Sequence, residues 1–401
     1  MCRETFPVGE SGWPTPTFRT ERGQPNGPPA DPERGAVKRL HSLTSLRFVA
    51  AGVVALMHGF GQYQLPVVDL GFVGVSFFFV LSGFVLTWAD TTEAGTGVFL
   101  RNRFAKLFPL SAATLAIAAI VPVAPNTNPV YFVQSLTLTQ AWGPMSSSSF
   151  NPVTWSLSAE AFFYLLLPVI VKVMRRFTAR ELVGTVVFLA ILQPVMGLLI
   201  QLTLGVEVNA WAAHFFTYDF PPYRLAEFVI GVALALLLKA GHVPSRTIQF
   251  AAAAATTTGL MLALIADLLH VTPWWAIEAL LLPAVVVLIW TSARRELSGD
   301  SRLLTHPRMV ALGDRSFSFY MVHYLVLGAV GLAIGAGPQS LPWWLVPPAL
   351  IAAAGLAGLA YRYVEKPCER AVRDLFSRER ARPLADSTAG PAHTHSSASG
   401  L

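Results

Sequence analysis

The sequence predicts an all-α, polytopic integral membrane protein with about ten transmembrane helices and both termini in the cytoplasm. Three observations carry the prediction. The chain is 53% hydrophobic and 13% charged with a mean hydropathy of +0.52, too apolar for a soluble protein of 401 residues. Apolar stretches long enough to cross about 30 Å of hydrocarbon recur along it. The basic residues gather in every second connection, the pattern that cytoplasmic retention of Lys and Arg produces.

Residues 1–40 are rich in Pro, Gly and charge, lack an apolar h-region, and read as a disordered cytoplasmic tail without a cleavable signal. The membrane domain, residues 41–371, has spans beginning near residues 46, 71, 105, 155, 183, 222, 249, 274, 315 and 342. Residues 372–401, rich in Ser, Ala, Pro and His, read as a second disordered cytoplasmic tail. Lys38 and Arg39 precede the first span, and Arg101, Arg103 and Lys106 follow the second. Lys172, Arg175, Arg176 and Arg180 follow the fourth; Lys239 and Arg246 follow the sixth. Arg294, Arg295, Arg302 and Arg308 follow the eighth, and Arg362, Lys366 and Arg370 close the tenth. The long 125–153 connection carries neither Lys nor Arg and is assigned to the outside.

This distribution also excludes functions. A net charge of +6 made of scattered loop residues forms no single nucleic-acid face. Cys2 and Cys368 lie at opposite ends, so neither a disulfide framework nor a thiolate metal cluster is expected, and no metal ligands are assigned. Tryptophans 142, 155, 211, 274, 275, 343 and 344 fall at the predicted outer ends and read as an interfacial aromatic belt.

Ionisable groups within the spans point to chemistry, because a charge at mid-bilayer costs about 2.5 to 3.5 kcal/mol on insertion scales. His58 lies inside the first span, eleven residues after Arg47. Eleven residues make about three helical turns, which places both side chains on nearly one face, about 17 Å apart. A neutral imidazole can take a proton from a hydroxyl and release it later; the bland alternative is a packing histidine. Glu160 enters the fourth span from the outside and reaches a depth comparable to that of His58. It is expected to orient the imidazole, as a triad acid does, or else to pair with an arginine such as Arg224. Arg224 already has Glu227 at i+3, and is counted with the binding residues. His323 follows Ser316 by about two turns on one face; spacing leaves the histidine open as a catalytic base, a donor-binding group or a helix-packing hydrogen bond, and both residues are counted with the binding groups. Arg101, Arg103 and Lys106 ahead of Phe108-Pro109 suit phosphates at a pore mouth, against the plain reading of topogenic charge.

Taken in order, these segments resemble the acyltransferase family 3 of membrane O-acyltransferases, from about residue 42 to 370. Ser42-Leu43-Thr44-Ser45-Leu46-Arg47 with His58 resembles that family's first helix, and Gly74-Val75-Ser76-Phe77-Phe78-Phe79-Val80-Leu81-Ser82-Gly83-Phe84 its second. Trp155-Ser156-Leu157-Ser158-Ala159-Glu160 with Phe163-Tyr164 and Pro168 is similar to the fourth-helix signature. The Ser316–His323 stretch and Tyr363-Val364-Glu365-Lys366-Pro367 resemble the last two. The family includes polysaccharide acetylases and macrolide O-acyltransferases. The resemblance implies transfer of an acetyl or other short acyl group from acyl-CoA to a hydroxyl of a carbohydrate or glycosylated metabolite, in a bacterial plasma membrane. It implies acyl-CoA as co-substrate and no permanently bound cofactor.

On this reading His58 and Glu160 are the catalytic pair, His58 either deprotonating the acceptor hydroxyl directly or taking the acyl group first and passing it on. Arg47, Arg103, Lys106, Arg224, Ser316 and His323 are the binding residues. Arg103 would hold the first position of the family's paired-arginine motif, but Lys106 stands at the second, keeping charge without bidentate geometry. Some relatives carry a hydrolase-like domain after the last helix, for which the polar end here leaves no expected room. The alternatives from other classes are a transporter of glycoconjugates or small metabolites, against which no inverted repeat is visible, and a non-catalytic subunit of an envelope-assembly complex.

Overall fold

A computed structural model describes residues 39–93, 95–124, 126–204, 210–243, 245–269 and 273–371. The tails expected at 1–40 and 372–401 lie outside these residues, apart from Arg39 and Leu40. The described residues are helical throughout, with no strand. The order is α1 His41–Phe60, α2 Val73–Trp88, α3 Thr96–Ile120, α4 Pro129–Leu136, α5 Pro144–Ser147, α6 Trp155–Met174 and α7 Ala179–Leu204. It continues with α8 Ala210–His214, α9 Pro221–Lys239, α10 Arg246–Leu269, α11 Trp274–Leu297, α12 Pro307–Asp314, α13 Ser316–Ala333 and α14 Val346–Ala360.

Nine of these helical segments are long and apolar enough to cross a membrane among the described residues, which makes the chain a multi-pass membrane protein. The tenth expected span is α14, whose 15 α-helical residues run into a π-helical turn at Tyr361–Glu365. The third span begins at Thr96 rather than near residue 105. That shift corrects the placement of Arg101, Arg103 and Lys106, which ride on the first turns of a membrane helix rather than in the loop ahead of it.

Burial separates a centre from a periphery. In α2, α9 and α13, 72% of the apolar window is buried inside the bundle; in α7 and α10 only 11% is, so those two present their Leu, Ile and Phe side chains to lipid. The centre closes on small residues. A Cβ on Gly83 of α2 would sit 2.0 Å from the Phe228 carbonyl oxygen, and one on Gly231 of α9 would sit 1.9 Å from that of Val80. Only glycine lets two backbones approach this closely, the contact that drives helix association in lipid.

The basic helix ends gather at one end of the bundle. Asp90, after α2, pairs with Arg175 after α6 at 2.7 Å and with Lys239 at the end of α9. Arg39 pairs with Asp314 at the end of α12, and Glu296 of α11 caps the start of α1 through the His41 and Ser42 amides at 2.8 and 2.7 Å. Of the expected tryptophan belt, Trp142, Trp211, Trp274, Trp343 and Trp344 are exposed, whereas Trp155 is buried against Phe79 and Tyr218 and belongs to the core.

Candidate active site

Among the described residues, two polar sites within the bundle concern the chemistry, and Tyr320 stands between them. The first is a cavity of about 90 Å³ near the basic end, walled by α1, α2, α3, α6 and α13. Arg47, Arg103, Lys106, Glu160 and Ser316 all line it. The longer α3 explains how the cations reach so deep: begun at Thr96, it carries Arg103 and Lys106 about two and three turns into the bundle. Glu160 accepts a hydrogen bond from Tyr164 Oη at 2.8 Å, one turn along α6, and faces the charges of Arg47 and Arg103. Tyr164 also meets Ser82 Oγ at 3.4 Å. Inside lipid such a carboxylate needs cationic partners, and here two arginines share one acid.

Polar valence remains in this cavity. The Nε of Arg103 and the Oγ of Ser316 are buried and have no hydrogen-bond partner among the described residues. A buried donor without a partner costs about 1 to 3 kcal/mol, so both atoms are open to a hydrogen bond with a molecule entering the cavity. Lys106 differs: its ammonium is paired with Glu365, whose other oxygen accepts from Ser318 Oγ at 2.6 Å. The π turn that ends α14 thus aims Glu365 inward.

The second site is a histidine pair. His58 Nδ1 lies 3.0 Å from His323 Nε2, with the rings stacked at 5.3 Å between centroids. His323 is fully buried, and its Nδ1 lies 3.3 Å from the Phe319 carbonyl oxygen. A carbonyl only accepts, so His323 Nδ1 carries a proton and its Nε2 offers a lone pair. His58 Nδ1 must then donate to it, leaving His58 Nε2 with a free lone pair. The chain of contacts therefore fixes both tautomers and aims a base at the remaining face of His58. Tyr324 meets the same ring edge-on at 5.2 Å.

This geometry corrects two expectations. Glu160 does not meet His58: its hydrogen-bond partner is Tyr164, and His323 orients the imidazole instead. Depth along a helix was readable from spacing, but the rotation of α6 relative to α1 was not. Arg224 does not line the cavity either. It is fully buried on α9, bound to Glu227 at 3.3 Å, to Glu278, and to Ser76 Oγ at 3.2 Å, with Phe79 and Tyr218 rings against its guanidinium. Gln193 adds a bond to Glu227 at 3.3 Å, so this cluster ties α2, α7, α9 and α11 together as scaffold. Glu365, Tyr164, Ser82 and Tyr320 stood within the quoted motifs, but no role was assigned to them from the sequence. An acid closing an apolar run signalled the first, and the i+4 spacing from Glu160 the second.

Tyr320 links the two sites: it lines the cavity, its ring lies 5.8 Å from that of His323, and its hydroxyl is held by Ser156 Oγ at 3.0 Å and by the Val153 carbonyl. Among the described residues no group of three or more His, Cys, Asp and Glu could hold a metal ion.

A multi-pass membrane protein with a cationic cavity beneath an oriented intramembrane histidine has the parts of a group-transfer enzyme. Comparison with known proteins specifies which. The Acyl_transf_3 model, described as an acyltransferase domain, matches residues 40–362, and the chain belongs to that family; it is an acyltransferase. It is similar to Acyltransferase MdmB of Streptomyces mycarofaciens, with 31% identity over 377 residues, 83% of this chain and 92% of the relative. It is also similar to the Exopolysaccharide production protein ExoZ of Rhizobium meliloti (strain 1021), with 28% identity covering 80% of this chain and 95% of that one. A Putative O-acetyltransferase of Staphylococcus aureus (strain COL), SACOL0978, shares 22% identity over 82% of this chain and 57% of its own length. No solved structure matches. Membership in an acyltransferase family sets aside the transporter and the non-catalytic subunit.

Proposed function

We propose that this enzyme moves an acetyl or other short acyl group from acyl-CoA to a hydroxyl of a carbohydrate or glycosylated metabolite, from within a bacterial plasma membrane. The observation that carries the reading is the His58–His323 pair standing one turn beyond a cavity whose buried Arg103 Nε lacks a partner. Cytoplasmic coenzyme A would enter at the basic end, with its phosphates on Arg103, aided by Arg47. Lys106, paired with Glu365, serves as a fixed wall of the mouth more than as a free ligand.

In the proposed reaction, His58 Nε2 takes the proton of the acceptor hydroxyl as that oxygen attacks the thioester carbonyl. The C–S bond breaks, and the proton on His58 passes to the departing thiolate, so the imidazole returns neutral. His323 holds the His58 ring by its Nδ1–H and is a positioning residue. Ser316, buried with an unpartnered hydroxyl, is available to the donor. Mass spectrometry of extracts from strains with and without the gene tests the reading. A glycosylated molecule that loses the mass of a short acyl ester is expected; an unchanged set of acylated sugars would contradict it.

A further inference from the structure

On the outside of the bundle, at its basic end, α14 and the start of α13 form a groove of about 730 Å³ that opens away from the cavity. Its lining holds four cations, Arg315, Arg362, Lys366 and Arg370, and no acid. Three of them follow one another at i, i+4 and i+8, which keeps them on one helical face. Lys366 lies over the Tyr361 ring at 5.4 Å, and its contact with Glu369 at 4.0 Å is at the limit of an ion pair. The other half of the groove is apolar and shallow. Gly355 and Gly358 form its floor, a Cβ on either would meet nothing within 4 Å, and Leu359 beside them is 53% exposed. Ile351 and Leu356 continue the same exposed apolar surface along α14.

We propose that this groove binds an anionic phospholipid of the adjoining leaflet, its phosphate held by the four cations and one acyl chain lying over Gly355 and Gly358. The charge and the shape agree: a basic pocket at a helix end attracts anionic headgroups, and a glycine floor on a lipid-facing helix leaves room for a chain. The π turn keeps this site distinct from the cavity, because Glu365 turns inward to Lys106 while Arg362 and Lys366 line the groove. The proposal is independent of the donor and acceptor named above.

Native mass spectrometry of the full chain in detergent, titrated with phosphatidylglycerol or phosphatidylcholine, tests it. The parent should retain phosphatidylglycerol selectively, and Arg362→Gln/Lys366→Gln/Arg370→Gln should weaken that retention roughly 10- to 100-fold. Gly355→Leu/Gly358→Leu, which fills the floor without touching charge or packing, should weaken it too and guards against misfolding of the first variant. Equal retention of the two lipids, or of phosphatidylglycerol by the parent and either folded variant, would overturn the proposal. So would displacement of the lipid by inorganic phosphate or coenzyme A, which would assign the cations to a soluble phosphate.

Discussion

At the level of single residues, the group that holds His58 decides what the imidazole can do. His323 is fully buried and lies 3.0 Å from it, so truncation to Ala removes the acceptor that fixes the reactive tautomer. His323→Ala should lower kcat about 10- to 1000-fold, while His323→Gln, whose amide oxygen can accept from His58 Nδ1, should recover part of it. Steady-state kinetics on both variants checks the pair. Glu160→Gln should behave differently. It leaves Arg47 and Arg103 without their counter-charge, so thermal stability in detergent should fall while kcat per folded molecule stays within about tenfold of the parent. A collapse of kcat in the Glu160 variant with full stability would return the carboxylate to the His58 ring. The candidate residues were legible one by one, because an ionisable side chain in an apolar run needs a reason. Their pairing was not, since it depends on how separate helices rotate against one another.

At the level of elements, the contact between α2 and α9 sets the scaffold on which both sites rest. Gly83 and Gly231 each face a backbone carbonyl of the other helix, so even one added methyl must push the helices apart. Gly83→Ala and Gly231→Ala should each destabilise by about 1 to 3 kcal/mol, read as a lower melting temperature in detergent. Gly355→Ala, on the open face of α14, should leave it unchanged. The end of α14 makes a different demand. Glu365→Ala breaks the pair with Lys106 and the bond from Ser318, and should cost about 1 to 3 kcal/mol, with donor KM rising as the mouth loosens. Most helix starts were legible from apolar runs: α9, α11 and α13 begin within a residue of where the sequence placed them. The start of α3 was misplaced because its first turns carry Arg101, Arg103 and Lys106, which read as loop until the cavity that receives two of them is seen.

Over the whole molecule, the alternation of loop charge agrees with helix ends that gather through Asp90, Glu296 and Asp314. The expectation that this end faces the cytoplasm, from the positive-inside rule, is open to a direct test. With Cys2 and Cys368 replaced by Ser, Ser298→Cys should resist a membrane-impermeant thiol reagent in intact cells and Ser340→Cys should react. The reverse pattern would invert the donor route. The buried Arg224 cluster, the glycine contact and the histidine pair use different side chains, so the chemistry is separable from the scaffold. The most direct measurement of the central claim is thiol release and acyl transfer by the purified full chain, given acetyl-CoA and an acceptor found by extract analysis. The parent should transfer, and His58→Ala, with the parent's melting temperature, should show no acyl transfer above background. Full transfer by folded His58→Ala would contradict the account.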